Sequence, residues 1–139
     1  MNYSPISIAE AVKKAKRIYI VGNGGSYANA MHIQNDLEGC GIRAHTLNPS
    51  SLTRTANDKD YEFVFSDWLA VHGEPGDLLI ALSGSGTSKN ILNAIAAAEM
   101  IGMDYVLVTD YLKTMDMQAS EEAQVKLGHD IMKALRDSG

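Results

Sequence analysis

Four hydroxyl side chains fall within six residues at Ser83-Gly84-Ser85-Gly86-Thr87-Ser88, and the glycines between them let the backbone approach a ligand closely. Hydroxyls and free amides at the start of a helix suit an anion, so Ser83, Gly84, Ser85, Thr87 and Ser88 read as a phosphate-binding turn. An ordinary capped turn would use one or two of these hydroxyls. A second glycine-rich run, Gly22-Asn23-Gly24-Gly25-Ser26, precedes Asn29, His32 and Asp36, whose spacings of three and four set them along one polar stripe of a helix. A histidine beside a carboxylate can move a proton near neutral pH; the same couple can also sit solvated and locally paired. Glu121 and His129 are eight residues apart, about 80° around a helix axis, so one site can see both.

Familiar signatures fail on these residues. A dinucleotide fingerprint starting at Gly22 and Gly24 needs a small residue where Tyr27 stands. A P-loop needs Gly-Lys-Ser or Gly-Lys-Thr, whereas Lys89 lies between Ser88 and Asn90. Neither Ser26 nor Ser85 completes the Gly-x-Ser-x-Gly turn of a serine hydrolase. Of the other singled-out side chains, His45 and His72 read as structural or surface residues, and Tyr61, Phe65 and Trp68 at helical spacing read as core, with room for one aromatic to border a pocket.

The elements that must hold these residues can be read from pattern. Ser7-Ile8-Ala9-Glu10 has the form of a capping box opening a helix to about Lys16, whose terminal lysines complement the helix dipole. Strands are expected at Arg17 to Val21, Ile42 to Leu47, Asp77 to Leu82 and Tyr105 to Thr109. Helices are expected from the first glycine run to about Glu38, over Asp60 to His72, from the hydroxyl turn to Gly102 on the apolar positions Ile91, Leu92, Ile95 and Met100, and from Ser120 to Arg136. Strands alternating with helices predict an α/β fold: a three-layer sandwich around a parallel, doubly wound sheet of about four strands. Both loops leave the carboxyl end of a strand and fall on one edge of that sheet, where such folds bind ligands.

A chain of 139 residues that is 45% apolar supports one core, with no linker or repeat dividing residues 1–139. A net charge of −5 without a basic block argues against nucleic acid as a partner. No apolar run approaches the ~20 residues of a membrane span. With Cys40 as the sole cysteine and no signal-peptide pattern in Met-Asn-Tyr-Ser-Pro, the expected location is cytoplasmic.

The segments Gly22 to Ser26, Ala28 to His32, Thr55-Ala56-Asn57-Asp58, Pro75-Gly76-Asp77 and Ser83 to Asn90 together resemble the sugar isomerase (SIS) domain, and within it the phosphoheptose isomerases. The resemblance covers about Arg17 to Thr109. It implies a flavodoxin-like strand order and an aldose-ketose isomerase that converts sedoheptulose 7-phosphate into a heptose 7-phosphate through an ene-diol. By this resemblance the turn Ser83 to Ser88 holds the phosphate, Asn23, Gly24 and Ser26 contact phosphate or sugar hydroxyls, and Asn57 and Asp58 line the sugar pocket. It matches His32, Asp36, Glu121 and His129 to a zinc-ligand set; Asp36 and His129 are the expected base and acid, and a zinc ion at the same place would instead polarise the carbonyl and stabilise the developing oxyanion. Asp36 stands where the family usually has Glu. The chain is shorter than the family pattern before its first strand and before its last helix, so no fifth strand is expected between Thr109 and Ser120. The resemblance also implies a homo-oligomer, dimer or tetramer, with the site built between subunits. A non-catalytic SIS module that binds a sugar phosphate in regulation or assembly stays open beside the isomerase.

Overall fold

The computed structural model describes residues 4–109 and 116–138. Helix α1, Pro5–Lys14, starts at Ser4, whose side chain accepts the Ser7 amide while the Ser7 hydroxyl accepts the Ser4 amide. The capping box is therefore Ser4 and Ser7, with Pro5 preset for the first turn, rather than the expected Ser7 and Glu10. Strand β1 (Ile18–Gly22) leads into α2 (Gly25–Gly39), and the short β2 (Ala44–Thr46) into α3 (Pro49–Asp58). A 3₁₀ turn at Tyr61–Phe63 precedes α4 (Val64–His72), then come β3 (Leu78–Leu82), α5 (Lys89–Ile101), β4 (Asp104–Val108) and α6 (Met117–Asp137).

The described strands form one all-parallel sheet, as the sequence pattern predicts, in the order β2-β1-β3-β4, the flavodoxin-like order that the resemblance implies. Alternation along the strands splits the core into two layers. Ile18 and Ile20 of β1 with Leu78, Ile80 and Leu82 of β3 face α1, α2 and α6 through Ile8, Ile33, Leu37 and Ile131. Tyr19, Val21, Leu79 and Ala81 face the other way, onto Phe65, Leu69, Ile91, Ala94 and Ala98 of α4 and α5. All five residues of β1 and of β3 are buried, which is why both read as continuous apolar runs.

Several expectations shift against the structure. The segment before α4 is a 3₁₀ turn, so Tyr61 is carried off the apolar face: it is 45% exposed while Phe65 is fully buried. Leu92 and Met100 are exposed on α5, whose buried face is Ile91, Ala94, Ile95 and Ala98. Helix α6 starts before Ser120, because the Asp116 side chain caps it by accepting the Ala119 amide at 2.7 Å. Helix α3 has no counterpart in the sequence reading. The start Met-Asn-Tyr and residues 110–115, part of the stretch expected to lack a strand, lie outside the described residues. No helix among the described residues is long and apolar enough to cross a membrane.

Candidate active site

In register, Gly22 of β1 lies beside Leu82 of β3, so the two strands end level and their loops emerge together at the carboxyl edge of the sheet. Between them opens a cavity of about 960 Å³ lined by Asn23, Gly24, Ser26, Ser83, Gly84, Ser85, Ser88 and Glu121, among others. Three helices, α2, α5 and α6, start at its rim and direct their positive ends towards it. Gly24 turns the chain into α2 with φ +55, a left-handed conformation that glycine adopts freely.

The hydroxyl turn divides its side chains between two uses. The Ser83 hydroxyl accepts the Gly86 amide at 3.0 Å and the Ser85 hydroxyl accepts the Thr87 amide at 3.2 Å, which folds the loop on itself. Ser88 is the N-cap residue of α5, yet its side chain makes no cap hydrogen bond, and it lines the cavity. Thr87 is exposed on the turn. Among the described residues the lining offers amides and hydroxyls, with the Glu121 carboxylate and no cation, which suits a phosphate held chiefly by neutral donors.

Asn23 is tied down by its neighbours. Its side-chain oxygen accepts from Tyr61 Oη at 2.7 Å and from Asn90 Nδ2 at 2.8 Å, and its Nδ2 donates to Asn90 Oδ1 at 2.9 Å. It therefore pins the first glycine loop to the start of α5. The Tyr27 hydroxyl donates to the Leu47 carbonyl, and burial raises its pKa above the usual tyrosine value, with Tyr61 adding to the effect.

Further along α2, His32 and Asp36 meet His129 of α6. Asp36 Oδ2 is 3.4 Å from His32 Nε2 and 3.8 Å from His129 Nε2, and the two imidazole nitrogens are 3.0 Å apart. Asp36 Oδ2 is buried without a hydrogen-bond partner, whereas the two histidine side chains are about half exposed. These three residues offer donor atoms all within 4.8 Å of one another, an arrangement that could hold a metal ion. An orphaned buried carboxylate oxygen facing two imidazole nitrogens is the donor set that a divalent cation such as zinc would satisfy.

Glu121 is not in that group. Its carboxylate packs on Gly25 at the start of α2, so closely that a Cβ built there would lie 1.6 Å from Oε2, and it lines the loop cavity instead. Asn57 and Asp58 are exposed and paired with each other at 3.2 Å, and Asp58 lines a separate groove between α3 and α4. Ser26 and Asn29 are buried, and the polar stripe of α2 runs along α6, with His32 at its open end half exposed. The residue that explains this is Gln124, 3% exposed in the middle of α6 and bonded to both. Its spacing of four from Ser120 and Gly128, both also buried, is the only sign of it in the sequence.

Comparison with known proteins adds four observations. Residues 6–110 match the family described as the SIS domain. The chain is 37% identical over 110 residues to a phosphoheptose isomerase from Rhodospirillum rubrum, covering 73% of this chain and 58% of that protein. It is 40% identical over 109 residues to a phosphoheptose isomerase from Glaesserella parasuis, covering 73% and 57%. The chain thus spans well under two thirds of the length of these relatives. Among solved structures, phosphoheptose isomerase from Neisseria gonorrhoeae superposes with a TM-score of 0.87 at 26% identity, covering 96% of this chain and 85% of that one.

Proposed function

The chain belongs to the SIS domain family, and from that premise we propose that it isomerises a phosphorylated sugar, sedoheptulose 7-phosphate being the substrate that its likeness to phosphoheptose isomerases favours. The observation that carries the proposal is that α2 and α6 each contribute twice. Their first turns line the phosphate-suited cavity, and further along both present the cluster His32, Asp36 and His129. From Glu121 to His129 is about 12 Å along the axis, a span that an extended seven-carbon sugar phosphate can bridge.

In this reading the sugar's phosphate is held by the turn Ser83 to Ser88 and the amide ends of α2 and α5. Asp36 Oδ2 takes the proton from C1 of the ketose, the electron pair forms the C1–C2 double bond, and O2 gains a proton from His129. Collapse of the ene-diol returns the proton of O1 to His129 as the C1 carbonyl forms, and Asp36 returns its proton to C2, so that both groups regain their starting states. Asp36 suits the base because its free oxygen is buried and unencumbered by hydrogen bonds. In the alternative, His32, Asp36 and His129 would hold a zinc ion, which when bound would polarise the carbonyl and stabilise the oxyanion in place of proton transfer by those ligand atoms.

The protein acts as a homo-oligomer, dimer or tetramer, in the cytoplasm. Val71, Leu92 and Met100 are exposed at 77%, 46% and 90%, apolar surface that a second copy would cover. Light scattering that finds only particles of a single chain's mass at micromolar concentration rejects this part.

The deciding experiment is a direct isomerisation assay with sedoheptulose 7-phosphate on the purified chain, alongside elemental analysis for zinc. Turnover that His129→Ala abolishes while phosphosugar binding persists is the expected result. Binding without turnover in the unmodified protein overturns the isomerase and leaves a sugar-phosphate-binding module.

A further inference from the structure

We propose that Gln124 and Asn29 are positioning residues: a buried amide clasp that fixes where α6 lies along α2 and so brings His129 against His32 and Asp36. The hydrogen bonds of the two amides go to each other, to Ser26 and to the Glu121 carbonyl rather than to the cluster. Asn29 Nδ2 donates to Gln124 Oε1 at 2.9 Å and to the Glu121 carbonyl at 2.9 Å, and Gln124 Nε2 donates to Ser26 Oγ at 3.1 Å. All three side chains are nine-tenths or more buried, Ser26 at 8%, Asn29 at 8% and Gln124 at 3% exposed.

A buried amide makes its hydrogen bonds in only one relative placement of its partners, because any slip leaves donors and acceptors unpaired away from water. Apolar packing between two helices is far less particular about sliding. Along α6 the buried positions are Ser120, Gln124, Gly128 and Ile131, one face of the helix. Ser120 meets Gly84 of the hydroxyl turn, where an added Cβ would stand 2.9 Å from its Oγ. At Gly128 an added Cβ would stand 2.7 Å from Ile33 Cγ1, so the helices approach closely one residue before His129. The clasp lies between these two contacts, and His129 follows five residues after Gln124. A shift of α6 by one residue would carry His129 about 1.5 Å along the axis and 100° around it, out of reach of Asp36.

The positioning role presupposes that His129 serves the reaction proposed above, but the placement of the two imidazoles can be read without turnover, metal or substrate. In selectively labelled protein, nuclear Overhauser contacts between the His32 and His129 ring protons report their proximity, the rings being 5.2 Å apart. Gln124→Leu is expected to abolish that contact in a folded protein. It is also expected to lower kcat at least tenfold while KM for sedoheptulose 7-phosphate changes less than threefold, since the hydrogen bonds that fold the hydroxyl turn run from Gly86 to Ser83 and from Thr87 to Ser85, within the turn itself. Exchanging the amides, Gln124→Asn with Asn29→Gln, should recover contact and kcat relative to Gln124→Asn alone. Should Gln124→Leu not fold, the exchange pair decides by the same two readings. Full retention of the ring contact in Gln124→Leu, or a double variant no better than the single one, overturns the clasp. An unmodified protein without turnover that loses its ring contact in Gln124→Leu sinks the isomerase and leaves the clasp standing.

Discussion

Replacing Asp36 with asparagine isolates the base from the fold. The side chain keeps its size and loses its charge, and the atom concerned is Oδ2, buried, unpartnered and 3.4 Å and 3.8 Å from the two imidazoles. General acid-base groups contribute roughly 10²- to 10⁴-fold, so kcat for sedoheptulose 7-phosphate is expected to fall by that factor, about 2.7 to 5.4 kcal/mol in the barrier. KM should hold within about threefold, because Asp36 does not line the cavity assigned to the phosphate. Folding stability should hold or rise, since an ionised oxygen without a hydrogen bond costs about 1 to 3 kcal/mol or more to bury and the amide removes that charge. Steady-state kinetics with thermal unfolding on one preparation give all three numbers. If Asp36→Asn retains more than about a tenth of kcat, Asp36 is not the base. If kcat and Tm fall together, its role is structural.

Two serine substitutions separate ligand contact from loop folding. Ser88→Ala removes a hydroxyl that caps nothing, so it should raise KM roughly ten- to hundredfold with no change in Tm, whereas Ser83→Ala, which strands the Gly86 amide, should lower both affinity and Tm; calorimetric titration with the phosphosugar and thermal unfolding test the pair. Gly25→Ala places a methyl group where the Glu121 carboxylate lies, and because that carboxylate ends a flexible side chain the protein should fold, with Glu121 pushed aside and phosphosugar affinity reduced in the same titration. Tyr27 is expected to ionise late. Its pKa is raised by burial, so the stability it contributes is full below the unfolded value of about 10 and is lost as pH climbs from there through the folded value. Tyrosinate absorbance against pH, with Tyr27→Phe showing a shallower alkaline loss of stability, checks the sign.

The fold was legible wherever burial imposed a period. Strands β1 and β3 are apolar throughout because both their faces are covered, and the two loops follow from the strands that end beside each other. Helix α3 was not legible because Thr55 is its only buried residue; Asn48 and Pro49 signal its start, but no apolar stripe follows. Tyr61 departs from the helical spacing because it sits in a 3₁₀ turn of 3.0 rather than 3.6 residues, which rotates its side chain off the core and onto Asn23. The site was half legible for a related reason. The i, i+4 pair His32 and Asp36 is local and could be seen, and azimuth alone allowed Glu121 to join His129, yet eight residues also carry a helix about 12 Å along its axis, and the structure seats Glu121 on Gly25 instead.

Gln124 marks the deeper limit, since nothing distinguishes a glutamine that faces water in mid-helix from one that faces Asn29 until the packing partner is known. That limit has a physical counterpart in how the two parts of the site are built. The cavity depends on backbone amides and loop hydroxyls fixed by strand ends in register, so it follows from the sheet and is written in glycine and serine. The cluster joins side chains from helices 93 residues apart at its closest spacing, Asp36 to His129, and depends on one helix lying at the right height on another. Any change that loosens α6 moves only one wall of the cavity, Met117, Ser120 and Glu121, but takes His129 out of the cluster, so it should disable proton transfer before anion binding.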